Sequence, residues 1–302
     1  MKKLIALVLA ALMLTLAACG RQSAEPDTTP AATLPAAETA AAETQAPTEA
    51  PQVVTPMEMP ESTLVDNENC TFRVNLASTN EHLGMTLDAV CVNKTDKKLM
   101  FTWNTVSVCG FMYDPLWSEQ VAPGETVSSV IYIDTYVLEQ YGITSVDQIE
   151  FTLNIFDMED FMAQPYVDET CVIYPTGLDP ETYAAPQRPA AAGEQVITDN
   201  DDLTFIIESI RSEGDSCILR VYLHNKTQQS LFYVWDGVSV DGTPMDPLWS
   251  AEVAAGKQAY SEIVFNGAAD AEQIDFRLIA SGEEETVLDE SFSCRTEDSA
   301  LG

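Results

Sequence analysis

The sequence predicts an all-β fold, in which two tandem antiparallel β-sandwiches follow a disordered tether. The first observation is an internal repeat: "YDPLWSEQVAPG" at residues 113–124 recurs as "MDPLWSAEVAAG" at residues 245–256, 132 positions later. The second is hydrophobicity that alternates with period two over five to eight residues, which indicates half-buried strands. The third is the placement of turn-forming pairs such as Asp-Gly between these stretches.

The repeat extends well beyond these two segments. "VDNENCTFRV" at residues 65–74 matches "TDNDDLTFII" at 198–207, and "NKT" follows in both copies, at Asn93 and Asn225. Near its end the offset falls from 132 to 125, so the second copy lacks seven residues. The first-copy segment that contains these extra residues, "DTYVLEQYGI", begins with an N-capping residue, Asp134, and ends near a glycine, so it predicts a short helical turn.

Each copy contains about seven predicted strands within about 100 residues, at the spacing expected of a sandwich. Trp103 and Trp235 lie on the third predicted strand of their copies and point to the predicted core. A buried tryptophan on the third strand is typical of immunoglobulin-like folds. The sequence therefore favours two immunoglobulin-like antiparallel β-sandwiches.

The order of short motifs is the same in both copies: N-K-T, then V-S-V, then V-A-x-G, then Q-I-[ED]-F. This order resembles the uncharacterised immunoglobulin-like domains found on many bacterial surface lipoproteins, and the resemblance covers nearly all of both copies. It implies a sandwich fold exposed at the cell surface. Because the matching motifs are structural ones, it implies no general activity.

The N-terminus has the pattern of a secretory signal. Two lysines precede an apolar run from Leu4 to Ala18, which is too short for a transmembrane helix. "LAAC", ending at Cys19, resembles the lipobox of bacterial lipoproteins, which implies a diacylglyceryl group on this cysteine. We expect a chain anchored by lipid to the extracytoplasmic face of the cell membrane. An ordinary cleavable signal with a chance cysteine is the alternative.

The amino-acid composition of the rest of the chain predicts which segments fold and which do not. Residues that follow Cys19 are mostly Ala, Thr, Glu, Pro and Gln, too polar to form a core, so a disordered tether is expected. A Pro- and Ala-rich stretch between the copies predicts a semi-stiff linker. The predicted segments are a signal peptide (1–18), the lipidated cysteine and tether (19–64), the first sandwich (65–175), the linker (176–196), the second sandwich (197–296) and a tail (297–302).

The net charge of the chain excludes nucleic acid as a partner. The chain has 14 Lys and Arg against 48 Asp and Glu, for a net charge of −34. Nucleic acid binding requires a basic surface, and none is present in this composition. Acidic lipid headgroups would also repel the chain, so membrane contact is expected only through the anchor. The charge predicts solubility first and attraction to a cationic partner second.

The residues required for catalysis are scarce. Neither His82 nor His224 has a cysteine or second histidine at metal-ligand spacing, and no nucleophile elbow, P-loop or dinucleotide fingerprint occurs. We therefore expect no enzyme activity, no cofactor and no metal site. Calcium is the one alternative for a metal, because the turns at Asp66 and Asp199 and the cluster at Asp157 are rich in oxygen ligands.

Six cysteines remain after Cys19, and export permits disulfides. Cys217 and Cys294 both stand where the first copy has other apolar residues, so a bridge between them is predicted; two separate buried thiols would give the same pattern. In the first copy the favoured pair is Cys70 with Cys171. Cys109, in a tight turn, is expected to be the most exposed thiol.

The duplicated "DPLWS" segment supplies the candidate ligand-binding residues. Trp117 and Trp249 have two interpretations: each folds back on the core, aided by Leu116 or Leu248, or each forms an exposed stacking surface for a glycan or a partner's aromatic ring. In the second interpretation three neighbours would contribute to binding, namely Tyr113, Asp114 and Asp246.

These observations predict a non-enzymatic binding or structural module at the cell envelope, with an envelope protein or a glycan as partner. The alternative is a solute-binding lipoprotein that delivers a ligand to a transporter. Such receptors usually have two α/β lobes, and the alternating helix pattern is missing here. An envelope hydrolase ranks third, because no nucleophile and base constellation is found.

Overall fold

In the computed structural model, which describes residues 61–80, 84–113 and 116–296, the chain is almost entirely β-structure. Both copies belong to one compact unit of residues 49–302. The predicted signal, Cys19, most of the tether and the tail lie outside the described residues. Within the described residues, no helix has the length and apolar character needed to cross a membrane.

The first copy contains nine strands and one short helix. They are β1 (Ser62–Asp66), β2 (Cys70–Asn80), β3 (Gly84–Asn93), β4 (Leu99–Val108), β5 (Phe111–Met112), β6 (Ser118–Val121), β7 (Thr126–Ile133), α1 (Thr135–Gln140), β8 (Ile149–Asp157) and β9 (Val167–Ile173).

The second copy repeats the same strand order without the helix. Its strands are β10 (Gln195–Asp199), β11 (Leu203–Glu213), β12 (Ser216–Asn225), β13 (Leu231–Val240), β14 (Thr243–Pro244), β15 (Ser250–Val253), β16 (Gln258–Phe265), β17 (Gln273–Ser281) and β18 (Thr286–Arg295).

Each copy is a two-sheet antiparallel sandwich, which confirms the predicted fold class. In the first copy, β1, β2, β3 and β7 form one layer, and β4, β8 and β9 form the other. The second copy places β10, β11, β12 and β16 opposite β13, β17 and β18. Leaving out β1 and β10, and counting the short strands β5 and β6 (β14 and β15) together as the fourth strand, each copy has the immunoglobulin order: first, second and fifth strands against third, sixth and seventh.

The tryptophans predicted to face the core do so. Trp103 packs edge-on against Phe151 with ring centroids 5.2 Å apart. Trp235 stacks on Phe276, with centroids 3.8 Å apart and planes within 8° of parallel. Both indoles are buried between the two layers, where large aromatic side chains contribute most to a sandwich core.

The repeated Asn-Lys-Thr motif closes a corner of each sandwich. The buried Asn93 amide donates to the carbonyl oxygens of Lys97 and Val121, at 2.7 and 3.0 Å. Asn225 makes the equivalent bonds in the second copy, at 2.7 and 2.8 Å. Because a buried amide needs partners, the motif is explained by structure and needs no ligand.

The predicted helical turn is also confirmed. Helix α1 covers Thr135–Gln140, and the Asp134 carboxylate caps it by accepting a hydrogen bond from the Tyr136 amide at 2.9 Å. Gly142 follows with φ of +75°, the left-handed conformation that commonly ends a helix.

The two copies are joined through their backbones. Strand β5 of the first copy pairs in parallel with the start of β16, where the Gln258 amide donates to the Gly110 carbonyl at 2.9 Å. This contact merges strands of both copies into one nine-stranded sheet. The copies therefore form a single body.

The predicted linker is packed against the second copy. The Arg188 side chain is 7% exposed and forms ion pairs with Glu194 and Glu208. Its guanidinium also lies over the Tyr222 ring, 4.6 Å from the centroid. Strand β10 begins at Gln195, two residues before the predicted start of the second sandwich at 197.

Candidate functional site

An open cleft of about 710 Å³ lies between the two copies. We call it the inter-copy cleft. Its apolar walls come from both copies, and polar side chains stand at its surface. Among its lining residues are Thr105, Met112, Tyr113, Asp134, Tyr141, Glu252, Ala254, Ala259 and Tyr260.

A packed group of aromatic rings lies beside the cleft. Tyr260 stacks on Phe111, with centroids 5.8 Å apart and planes within 5° of parallel. The ring centroids of Tyr141 and Tyr222 lie 5.0 and 5.5 Å from the Tyr260 centroid. The Arg220 guanidinium lies 4.6 Å from the same Tyr260 centroid. Burial raises the pKa of Tyr222 and of Tyr260 to about 12, so both hydroxyls stay neutral. The rings therefore join the two copies.

Helix α1 positions two polar groups of the cleft. The Tyr113 hydroxyl accepts a hydrogen bond from the Asp134 amide at 2.7 Å, where the helix begins. Burial raises the Tyr113 pKa, so its hydroxyl remains protonated and can donate a hydrogen bond. Asp134 is exposed, and one oxygen of its carboxylate accepts the hydrogen bond that caps the helix.

The backbone at Thr105 is strained. This residue has φ of +51° at a β-bulge in β4, although a β-branched side chain strongly disfavours positive φ. The second copy has Gly237 at the equivalent position, with φ of +58°. Strain of this kind is concentrated at functional sites, and Thr105 lines the cleft.

Two cations at the joint between the copies are already paired. Lys257 forms an ion pair of 2.8 Å with Glu150 of the other copy. Arg220 pairs with Glu208 and donates to the Gln140 carbonyl at 2.9 Å. In contrast, the exposed Glu252 carboxylate has no partner among the residues that the structure describes. The cleft therefore has a net negative charge.

The "DPLWS" tryptophans pack on their own sandwiches. The Trp117 indole donates to the Ser129 hydroxyl at 3.1 Å, and Trp249 makes the matching bond to Ser261 at 2.9 Å. Trp249 also packs edge-on against Trp235, with centroids 5.9 Å apart. This geometry agrees with the interpretation in which each tryptophan folds back on the core.

The leucines of the same segments do not help to close the core, contrary to the prediction. Leu116 is 97% exposed and Leu248 is 89% exposed. Leu248 has φ of +49°, and its amide donates to the Asp246 carboxylate at 3.0 Å. The turn that anchors the tryptophan therefore directs the leucine into solvent.

The structure separates the predicted ligand-binding residues. Tyr113 lines the inter-copy cleft, whereas Trp117 and Trp249 pack on their sandwiches and Asp246 lies in a turn of the second copy. Asp114 lies outside the described residues.

All six cysteines of the described residues are free and buried. The predicted Cys217–Cys294 and Cys70–Cys171 bridges are absent from this structure. Cys217 and Cys294 both lie in the core of the second sandwich, and burial raises the pKa of Cys294 to about 12. The bridge between them stays a prediction for the exported protein.

Cys109 is not the exposed thiol that its turn position predicted. It is 1% exposed, and its sulfur donates to the Ser145 carbonyl at 3.4 Å. The turn is tight, as expected, with φ of +50° at this residue. The Ser145 carbonyl contacts its sulfur, and Ala185 of the linker lies against the adjacent Gly110, which a local turn pattern does not predict.

In two of the acidic turns considered for calcium, the aspartate forms an ion pair with a lysine. Lys94 bonds to Asp66, and Lys226 bonds to Asp199, each at 2.6 Å. In the part of the chain that the structure describes, no group of three or more His, Cys, Asp or Glu is arranged to hold a metal ion.

No protein-family model matches this chain, and no curated protein matches it either.

Sequence reasoning missed the inter-copy cleft, because neither copy alone indicates how it docks on the other. One signal was available. The seven extra residues of the first copy belong to the segment that forms α1, and this segment supplies Asp134, Val137 and Tyr141 to the cleft. A difference between two otherwise similar copies marked the place where they meet.

Proposed function

We propose that this chain is a lipid-anchored lipoprotein on the extracytoplasmic face of the cell membrane, and that its two sandwiches act together as a non-enzymatic binding module. The observation that carries the proposal is the inter-copy cleft, whose walls come from both copies. Concave sites with apolar walls and a few polar groups are the usual form of a ligand site.

The joint between the copies supports this function. The shared sheet and the Lys257–Glu150 ion pair link the two copies that supply the walls of the cleft. A fixed site loses less conformational entropy on binding than a flexible one. The acidic tether that precedes Glu61 would hold this body away from the bilayer.

A solute-binding lipoprotein is the second candidate, and the size of the cleft favours it. Sites for small molecules commonly enclose roughly 300–1,000 Å³, and the cleft falls in this range. The two candidates differ in the ligand: an envelope protein or glycan in the first, and a transported small molecule in the second.

The binding function is tested with a tryptophan that fills the cleft. Ala254→Trp places a large ring in the cleft, and Ala122→Trp places it at the equivalent position of the first copy, outside the cleft. The purified mature chain is assayed on a glycan array, by cross-linking to isolated envelopes, and by mass spectrometry of small molecules that co-purify.

We expect Ala254→Trp to abolish the binding that wild type shows, and Ala122→Trp to retain it. A partner cross-linked from envelopes or a glycan supports the first candidate, and a co-purified small molecule supports the second. Equal binding by both variants would remove the cleft as the site. Absence of any ligand in all three assays would contradict the binding function.

The anchor is tested by labelling cells with radioactive palmitate. We expect wild type to be labelled and to remain with the membrane fraction. Cys19→Ser should lose the label and should be released or retained as an uncleaved precursor. A labelled Cys19→Ser protein would contradict the proposed lipidation site.

A further inference from the structure

We propose that the inter-copy cleft binds a primary alkylammonium group, carried either by a free diamine or by a lysine side chain of a partner protein. This inference rests on the proposed binding function and specifies its ligand. It follows from which side chains of the cleft remain available and which are already engaged.

Stacking of a sugar ring is disfavoured by the packing of the tyrosines. Tyr260 is surrounded by Phe111, Tyr141, Tyr222 and Arg220. A sugar ring stacks on an exposed aromatic face, and these neighbours compete with it for the Tyr260 ring. The packing of the tyrosines at the joint therefore favours a role in the walls over a role as a stacking surface.

The groups that remain available favour a cation. Glu252 is exposed without a partner in the described structure, and the exposed Asp134 also lines the cleft. Two cations of the joint, Lys257 and Arg220, are engaged with Glu150 and Glu208. Two carboxylates attract a cation beyond what the overall charge of the chain provides, because they lie in a concave site.

The apolar walls favour a cation on an alkyl stem over a small inorganic ion. Met112, Val137 and Ala259 line the same cleft as its two carboxylates. These side chains offer no oxygen ligand, so a hydrated metal ion would gain little from them. An alkyl chain would lose its contact with water there, which is favourable.

The Glu252 carboxylate is specific to the second copy, which provides a matched variant. The residue equivalent to Glu252 in the first copy is Gln120. Glu252→Gln therefore installs a side chain that the same strand already tolerates in the other sandwich. Glu284→Gln removes the same charge from an exposed turn far from the lining residues, and it serves as the control.

The experiment is isothermal titration calorimetry on the purified mature chain. The probes are cadaverine, N-acetyl-lysine methylamide and the neutral 1,5-pentanediol. We expect one or both amines to bind and the diol not to bind. Glu252→Gln should weaken amine binding roughly tenfold or more, since hydrogen bonds to charged groups are the strong ones. Glu284→Gln should bind as wild type does.

Binding of cadaverine alone identifies a free diamine as the ligand class, and binding of the lysine amide identifies a protein side chain. No binding of either amine would overturn the inference, as would equal weakening by Glu252→Gln and Glu284→Gln, which indicates bulk attraction. If the amines fail while Ala254→Trp still abolishes partner binding, only the ligand class is wrong and the binding function stands.

Discussion

At the scale of single residues, the two copies serve as controls for each other. Tyr233 is fully buried in the second copy, and its hydroxyl has no hydrogen-bond partner among the residues that the structure describes. The first copy has Phe101 at this position. A buried hydroxyl without a partner costs free energy that a phenylalanine of nearly the same shape avoids.

Tyr233→Phe should therefore raise the free energy of unfolding by about 1–3 kcal/mol, the cost of an unpaired buried polar group. Thermal and denaturant unfolding measure the change. Phe101→Tyr is the matched reverse substitution, and we expect it to destabilise the chain. A lower stability of Tyr233→Phe would show that the hydroxyl is satisfied, for example by a bound water.

Thr105 provides a second comparison. Its left-handed backbone is unfavourable for a β-branched residue, whereas Gly237 adopts the same conformation without strain. Relief of strain in Thr105→Gly, of order 1–3 kcal/mol, exceeds the added entropy of a glycine in the unfolded chain, about 0.5–1 kcal/mol.

We expect Thr105→Gly to stabilise the chain by about 1 kcal/mol, measured by denaturant unfolding. The control Gly237→Thr should lose stability, because it introduces the same strain into the second copy. Destabilisation by Thr105→Gly would mean that contacts of the threonine side chain outweigh the backbone strain.

At the scale of elements, the linker is the segment whose structure differs most from what its composition predicts. Its Pro and Ala content predicts a spacer, yet Arg188 is buried between Glu194 and Glu208 and lies over Tyr222. Removing one member of a buried charge cluster leaves the others unpaired, which typically costs about 3–5 kcal/mol.

Arg188→Ala should release the linker, with faster proteolysis and hydrogen exchange across residues 176–194 and a lower melting temperature. Arg211→Ala is the control, because Arg211 forms an exposed pair with Glu262, and such pairs contribute about 1 kcal/mol or less. Equal protection of the linker in both variants would show that Arg188 does not hold it.

At the scale of the whole molecule, the joint between the copies is directional. A head-to-tail contact that repeats along a chain can produce open filaments. Here the positions equivalent to the joint have diverged: Tyr260 and Tyr222 correspond to Ser128 and Val90 in the first copy. The ion pair is lost as well, since Lys257 and Glu150 correspond to Glu125 and Asp275, two acidic residues.

The outer ends of the molecule therefore cannot repeat the contact that joins its copies. We expect the mature chain without its lipid to be monomeric in analytical ultracentrifugation at every concentration tested. A sedimentation coefficient that rises steadily with concentration would contradict this expectation.

The sequence by itself determined the fold class, the repeat, the short helix and the core tryptophans, because these depend on local periodicity, capping and turn residues. It also reduced Trp117 and Trp249 to two interpretations, one of which agrees with the structure. It predicted that Leu116 and Leu248 help to close the core and that Cys109 is exposed, whereas the leucines are exposed and the cysteine is buried. Only the tertiary structure decided how the copies meet, since docking depends on surfaces distant in sequence such as Phe111 and Tyr260. The inter-copy cleft exists only because of that docking, so no pattern within one copy could have placed it.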